Sequence, residues 1–260
     1  MTLDLETDKS ATYIPSNTIE MSNDVLVAVF NADDGGLEPS VWTRLNEWLQ
    51  PNERARAEQI KDQEARASFL IGRGMARAML AEVTGVAAKD WLFAEGAHGR
   101  PEVASPDTPY HFNLAHSHGA VACIVGRGRE IGVDIEFLER PPASPELVAR
   151  VCAPEEIADI EAASEAERQE RFLVYWTLKE AYLKARGLGI SVHLADVAFS
   201  LAQGQPTFTP LGSLADADTR WTFRLAQPGP THLVAVAADV RDGTTPNIRF
   251  QRFANNRFPL

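Results

Sequence analysis

Residues 171–187 read RFLVYWTLKEAYLKARG, and this stretch decides the fold because a faint repeat of it lies earlier in the chain. Trp176 and Leu183 lie on the apolar stripe of a long helix predicted over about 164–186. Ser164-x-x-Glu167 supplies a capping box at its start, and Gly187 stops it. At a distance of 103 residues, Ser68-Phe69-Leu70-Ile71 matches Arg171-Phe172-Leu173-Val174. Without a gap, Met75 then aligns with Leu178, Ala78 with Ala181 and Leu80 with Leu183. The earlier helix is predicted over about 53–83 and is closed by Gly85. Gly72 and Gly74 inside it each cost about 1 kcal/mol against alanine, which points to close packing there.

Each helix precedes a hairpin. Strands are predicted at 111–114 and 120–125 around a Ser-His-Gly turn, and at 221–226 and 232–238 around Gln227-Pro228-Gly229-Pro230. Phe112-Asn113-Leu114-Ala115 also resembles Phe223-Arg224-Leu225-Ala226. Helix then hairpin, twice in one order, predicts an α+β fold of two similar halves packed about a pseudo-twofold axis. A cleft between them is the natural ligand site. Further strands are expected at 24–30 and 131–137, with a helix at 40–49 stopped by Pro51. Pro141, Pro142 and Pro145 mark the boundary, giving a flexible tail 1–22, halves 23–140 and 141–242, and a C-terminal tail 243–260.

Composition excludes several classes. With 260 residues, 45% hydrophobic and 23% charged, the chain is not wholesale disordered. No run of 18 apolar residues is present, so no membrane span is expected. Residues 1–22 lack the apolar core of a signal peptide, and Cys123 and Cys152 alone make no disulfide framework, so a cytoplasmic protein is expected. The net charge of -11 argues against a nucleic-acid partner but is compatible with a small anionic ligand. Arg54, Arg56, Lys61, Arg66, Arg73 and Arg77 are interleaved with Glu58, Asp62 and Glu64, the pattern of a salt-bridged amphipathic helix.

Two stretches carry candidate chemistry. In Gly132-Val133-Asp134-Ile135-Glu136 the carboxylates alternate, so they share one face of a strand while Val133 and Ile135 point into the core. Glu180 and Lys184, four apart, share one face of the long helix. Taken singly, these read equally as a solvated strand face and a surface ion pair. Taken together they bring a third carboxylate to the pair, and carboxylates about 4 Å apart repel by several kcal/mol at an effective dielectric near 20. A hard divalent cation removes that repulsion, and oxygen donors suit magnesium. His116 and His118 alternate as a zinc pair would, but no third ligand has matching spacing. A histidine at a strand end donating to a phosphate, or a plain structural one, is the other reading.

These blocks resemble the Sfp-type 4′-phosphopantetheinyl transferases. The family pattern Gly-(Ile/Val)-Asp-(Ile/Val)-Glu is matched by residues 132–136, and Trp-x-x-Lys-Glu-x-x-x-Lys by Trp176, Lys179, Glu180 and Lys184. Its Gly-(Lys/Arg)-Pro block is matched by Gly99-Arg100-Pro101, and Phe-Asn-x-Ser-His-Ser by residues 112–117. The four blocks follow in family order within about 24–240. Two departures stand out: Ala115 replaces the common serine, and Arg100 the more usual lysine.

The resemblance implies a monomer with its active site between the halves. The implied reaction is transfer of the phosphopantetheine arm of coenzyme A to a serine of an apo acyl carrier or peptidyl carrier protein, releasing 3′,5′-ADP. Magnesium on Asp134, Glu136 and Glu180 is implied, with Glu180 or a metal-bound water as base. Lys184, supported by Lys179, would neutralise the leaving phosphate. Arg100 and His116 would hold the nucleotide, with Lys61, Arg66 and Arg73 as phosphate neighbours. A magnesium-dependent phosphohydrolase or nucleotidyl transferase, and a non-catalytic binding module, are the alternatives these residues leave open.

Overall fold

Pro39, Pro51, Pro145 and Pro154 each stand at the start of a helix, where a missing N–H leaves nothing unsatisfied. The computed structural model describes residues 23–96, 99–201, 204–215, 219–241 and 243–255; the expected tail 1–22 and residues 256–260 lie outside them. The first elements are β1 (Asp24–Asn31), α1 (Pro39–Trp48), α2 (Pro51–Gln59), α3 (Gln63–Thr84), β2 (Leu92–Glu95), β3 (Pro101–Ser105), β4 (Tyr110–Ser117) and β5 (Ala120–Arg127). The same series of a strand, three helices and four strands follows again. It consists of β6 (Ile131–Phe137), α4 (Pro145–Val151), α5 (Pro154–Ala162), α6 (Glu165–Arg186), β7 (Val197–Ser200), β8 (Thr207–Pro210), β9 (Trp221–Ala226) and β10 (His232–Asp239). β11 (Asn247–Arg252) comes last. Among the described residues no helix is long and apolar enough to cross a membrane.

The predicted helix over 53–83 is two helices. Asp62 ends the continuity because its carboxylate accepts the Ala65 N–H and caps α3. The helix predicted over 164–186 is α6, with Glu167 accepting the Ser164 N–H at its start and Gly187 in the left-handed conformation, φ 63°, at its end.

The chain divides into two compact units: Ile131–Thr245, and residues 23–130 with 246–255. This corrects the boundary expected at the proline cluster. β6 pairs antiparallel with β10, Ile131 opposite Ala238 through Phe137 opposite His232, and Pro145 merely opens α4. The C-terminal segment expected as a tail returns to the first unit, where β11 lies parallel to β1.

The sheet of the first unit runs β11-β1-β5-β4, and α3 packs on β5 and β4. Its core joins Leu26, Ala28 and Phe30 of β1 to Ile71, Met75, Met79 and Leu80 of α3 and to Trp91. In the second unit the order is β6-β10-β9, and α6 packs on β6 and β10. First strand, last strand and penultimate strand are thus adjacent in both sheets. Tyr182 of α6 anchors an aromatic cluster there, 4.6 Å from Phe208 and 5.1 Å from Trp221 between ring centroids.

The repeat extends to a buried ion pair. Glu53 and Glu156, 103 residues apart in sequence, occupy the first turns of α2 and α5 and accept the Gln50 and Ala153 N–H groups. Each carboxylate then meets a fully buried cation on the long helix: Arg77 at 2.7 Å from Glu53, and Lys179 at 2.7 Å from Glu156.

Candidate active site

Gly132, Asp134 and Glu136 alternate along β6 and share the face covered by α6. The helix can lie there because residue 132 has no side chain. A Cβ at Gly132 would stand 2.5 Å from the Ala185 amide nitrogen and would overlap the Ala181 carbonyl oxygen. Helix backbone in contact with strand backbone is what brings residues 180–184 over Asp134. The face read as solvated is therefore largely covered.

Asp134 is only 5% exposed. Lys184 Nζ donates to its Oδ1 at 2.5 Å, while its Oδ2 is buried without a hydrogen-bond partner. Burial pushes the Asp134 carboxyl up to about 6, Lys184 draws it back, and the charge of Glu136 raises it again. Glu180, half-buried, is shifted upward by burial and by the charge of Asp134, and Lys184 opposes the shift. Glu136 pairs with Arg140 at 2.9 Å. The three predicted carboxylates thus belong to one electrostatic cluster, in which Lys184 and Arg140 offset two of the three negative charges. Among the described residues no three His, Cys, Asp or Glu side chains converge closely enough to hold a metal as they stand.

Lys179 does not belong to this cluster. It is fully buried, paired with Glu156, and donates to the Leu194 and Val197 carbonyls at 3.0 and 2.6 Å. An ammonium group has three donors, and all three are taken. The expectation that Lys179 supports a nucleotide phosphate is corrected: it ties α6 to α5 and β7.

The first unit holds a cleft of about 930 Å³ between α2, α3 and the β2–β4 region. Arg73 and His116 line it, as do Ser68, Arg56 and Gly99. Arg73 Nε pairs with Glu53 at 3.2 Å, and its guanidinium lies 4.9 Å from the Phe69 ring centroid. Lys61 and Arg66 are exposed and do not line the cleft. Arg100 is also outside its lining: its guanidinium donates to the Phe112 carbonyl at 3.3 Å, bracing β4. Ala115 does line the cleft, so the departure from serine removes a hydroxyl from its wall.

Sequence reasoning passed over Glu53, Arg56 and Ser68 as site residues. A signal for Glu53 was present, since Pro51-Asn52-Glu53 and Pro154-Glu155-Glu156 repeat a proline followed two residues later by glutamate.

The sequence model of the 4′-phosphopantetheinyl transferase superfamily matches residues 130–237, and that of the N-terminal part of 4′-phosphopantetheinyl transferase matches 38–128. The two matches divide where the structural units divide. A phosphopantetheinyl transferase from Thraustochytrium sp. is 34% identical over 227 residues, covering 81% of this chain and 78% of the relative. The 4′-phosphopantetheinyl transferase Sfp of Bacillus subtilis is 27% identical, covering 75% of this chain and 84% of its own length. Among solved structures, holo-[acyl-carrier-protein] synthase from Neisseria meningitidis is 23% identical with a TM-score of 0.36, over 43% of this chain and 98% of that one. The carboxylate cluster on β6 and α6 sits within the superfamily match and the cleft within the N-terminal one, and the chain belongs to the 4′-phosphopantetheinyl transferase family.

Proposed function

We propose that this transferase moves the phosphopantetheine arm of coenzyme A to a serine of an apo acyl carrier or peptidyl carrier protein, with Mg2+ as cofactor. The serine oxygen attacks the phosphorus that bears the pantetheine arm. The pyrophosphate P–O bond breaks, its electron pair stays on the nucleotide, and 3′,5′-ADP departs.

The observation that carries the reading is Asp134. Lys184 satisfies only one oxygen of this buried carboxylate, and three mutually repelling carboxylates meet two cations, so the cluster has the charge and the open Oδ2 to take a further cation. Oxygen donors with an excess of negative charge fit a hard divalent ion, which would supply positive charge against the pyrophosphate oxygens. Asp134, Glu136 and Glu180 are the residues that would hold it.

The protein's own groups do the rest. Glu180 accepts the serine proton, its raised proton affinity making it a stronger base than an exposed carboxylate. Lys184 offsets charge on the departing phosphate. Arg73 and His116 bind the anionic nucleotide end of coenzyme A in the cleft of the first unit. Lys61, Arg66 and Arg100 contribute only to the positive potential around it.

The test is intact-mass spectrometry of an apo carrier protein incubated with the enzyme, coenzyme A and Mg2+. A gain of one phosphopantetheine arm, abolished by chelation, is expected. Coenzyme A breakdown with no gain on the carrier would turn the assignment toward a phosphohydrolase.

A further inference from the structure

We infer that Lys184 is an internal counter-ion that competes with the divalent metal for Asp134, so that coenzyme A and metal bind with positive coupling through this one side chain. The inference rests on the metal reading of Asp134 given above. Its ground is geometric. Lys184 Nζ lies 2.5 Å from Asp134 Oδ1, close enough that a cation bonded to that oxygen must displace it.

The groups facing Lys184 define what that displacement costs. Asp134 meets it from β6 and Glu180 lies one turn back on α6, while Glu136, whose charge acts on Asp134, is paired with Arg140. Lys184 is 30% exposed, so its four-carbon stem can swing outward without opening a cavity. The unpartnered Asp134 Oδ2 marks what Lys184 leaves undone: one ammonium satisfies one carboxylate oxygen and not the other. A pyrophosphate arriving at the cluster gives Lys184 a new partner of the same charge sign as the one it leaves. Asp134 is then released to the metal, whose charge the pyrophosphate also needs. Neither ligand alone gains as much as both together, which is a coupling free energy.

Calorimetric titration of Mg2+ into the full chain at about pH 8, above the carboxylate range, tests this directly. Wild type is compared with K184M, first without and then with coenzyme A, subtracting a titration of Mg2+ into coenzyme A alone. Loss of a charged hydrogen bond predicts that K184M binds Mg2+ alone about tenfold more tightly than wild type. Coenzyme A should tighten Mg2+ binding about tenfold in wild type and far less in K184M. K184Q serves as a second variant, and a urea midpoint confirms folding of both.

Equal or weaker Mg2+ affinity in both folded variants, with wild type still binding the metal, overturns the inference and leaves the metal assignment standing. Absence of Mg2+ binding in wild type and variants alike overturns both.

Discussion

Replacing Gly132 with alanine should pry β6 from α6. The new Cβ would stand 2.5 Å from the Ala185 nitrogen and 3.0 Å from its Cα, with the Ala181 carbonyl nearer still. Comfortable carbon contacts lie at about 3.5–4.0 Å, so the helix must retreat by about 1 Å. Every obstructing atom is backbone, so no rotamer change relieves the overlap. Overpacking of a tight interior costs about 1–3 kcal/mol, and the rigidity of the neighbours puts G132A at the upper end. The retreat opens the cluster itself, because Asp134 lies two residues along β6 while Glu180 and Lys184 immediately precede the obstructing residues Ala181 and Ala185 on α6. A misplacement of about 1 Å at reacting groups costs about a hundredfold in rate. Urea denaturation should therefore show G132A less stable by about 3 kcal/mol. Transfer to an apo carrier, followed by intact mass at temperatures where G132A is folded, should be about a hundredfold slower. Wild-type stability and rate in G132A would refute the close approach and the geometry built on it.

Other outcomes follow from the same cluster and its neighbours. Asp134→Asn keeps the side-chain shape and removes the charge, so transfer should fall about a thousandfold although the urea midpoint at neutral pH is no lower than that of wild type; a folded D134N with ordinary transfer contradicts the role of Asp134. Lys179→Met leaves the Glu156 charge buried and unpaired and should cost about 3–5 kcal/mol in urea denaturation, partly recovered in K179M/E156Q; unchanged stability in K179M would show the pair to be dispensable. For pH, Asp134 has a folded-state pKa of about 6 against an ordinary 3.8, so the folded chain holds this proton more tightly than the unfolded chain. Its ionisation opposes folding: the penalty is absent below about pH 4, grows between about 4 and 6 and is complete above. In chelator, D134N should therefore gain stability relative to wild type as pH rises through that window, and a constant difference between the two denaturation curves would contradict the shift.

Local signals were readable from the chain, and long-range partners were not. Ser164, Glu167 and Gly187 delimit α6 through their own backbone chemistry, so its ends could be written from sequence. The alternation that puts Asp134 and Glu136 on one face is likewise a property of any strand. By contrast, the boundary of the units depends on β6 pairing with a strand about a hundred residues away, and the nearby prolines pointed elsewhere. Asp62 sat inside an amphipathic pattern, where its competing role as a cap is invisible to periodicity. Lys179 has the appearance of a ligand-binding lysine until Glu156 is placed beside it. Gly132 was visible as a motif residue, but its reason, the backbone of α6, lies in the tertiary packing alone.

The parallel pairing of β11 with β1 carries a consequence for biosynthesis. Most of the first unit is made before the second, yet its sheet gains this strand only after all of Ile131–Thr245 has been made. At about 5–20 residues per second, that interval is on the order of ten seconds. Throughout it one edge of β1 is bare, along a strand whose residues from Val25 to Phe30 are all buried in the finished fold. A bare apolar edge is a template for pairing with another chain. Nascent chains and truncations lacking 246–255 should therefore be the aggregation-prone forms of this protein.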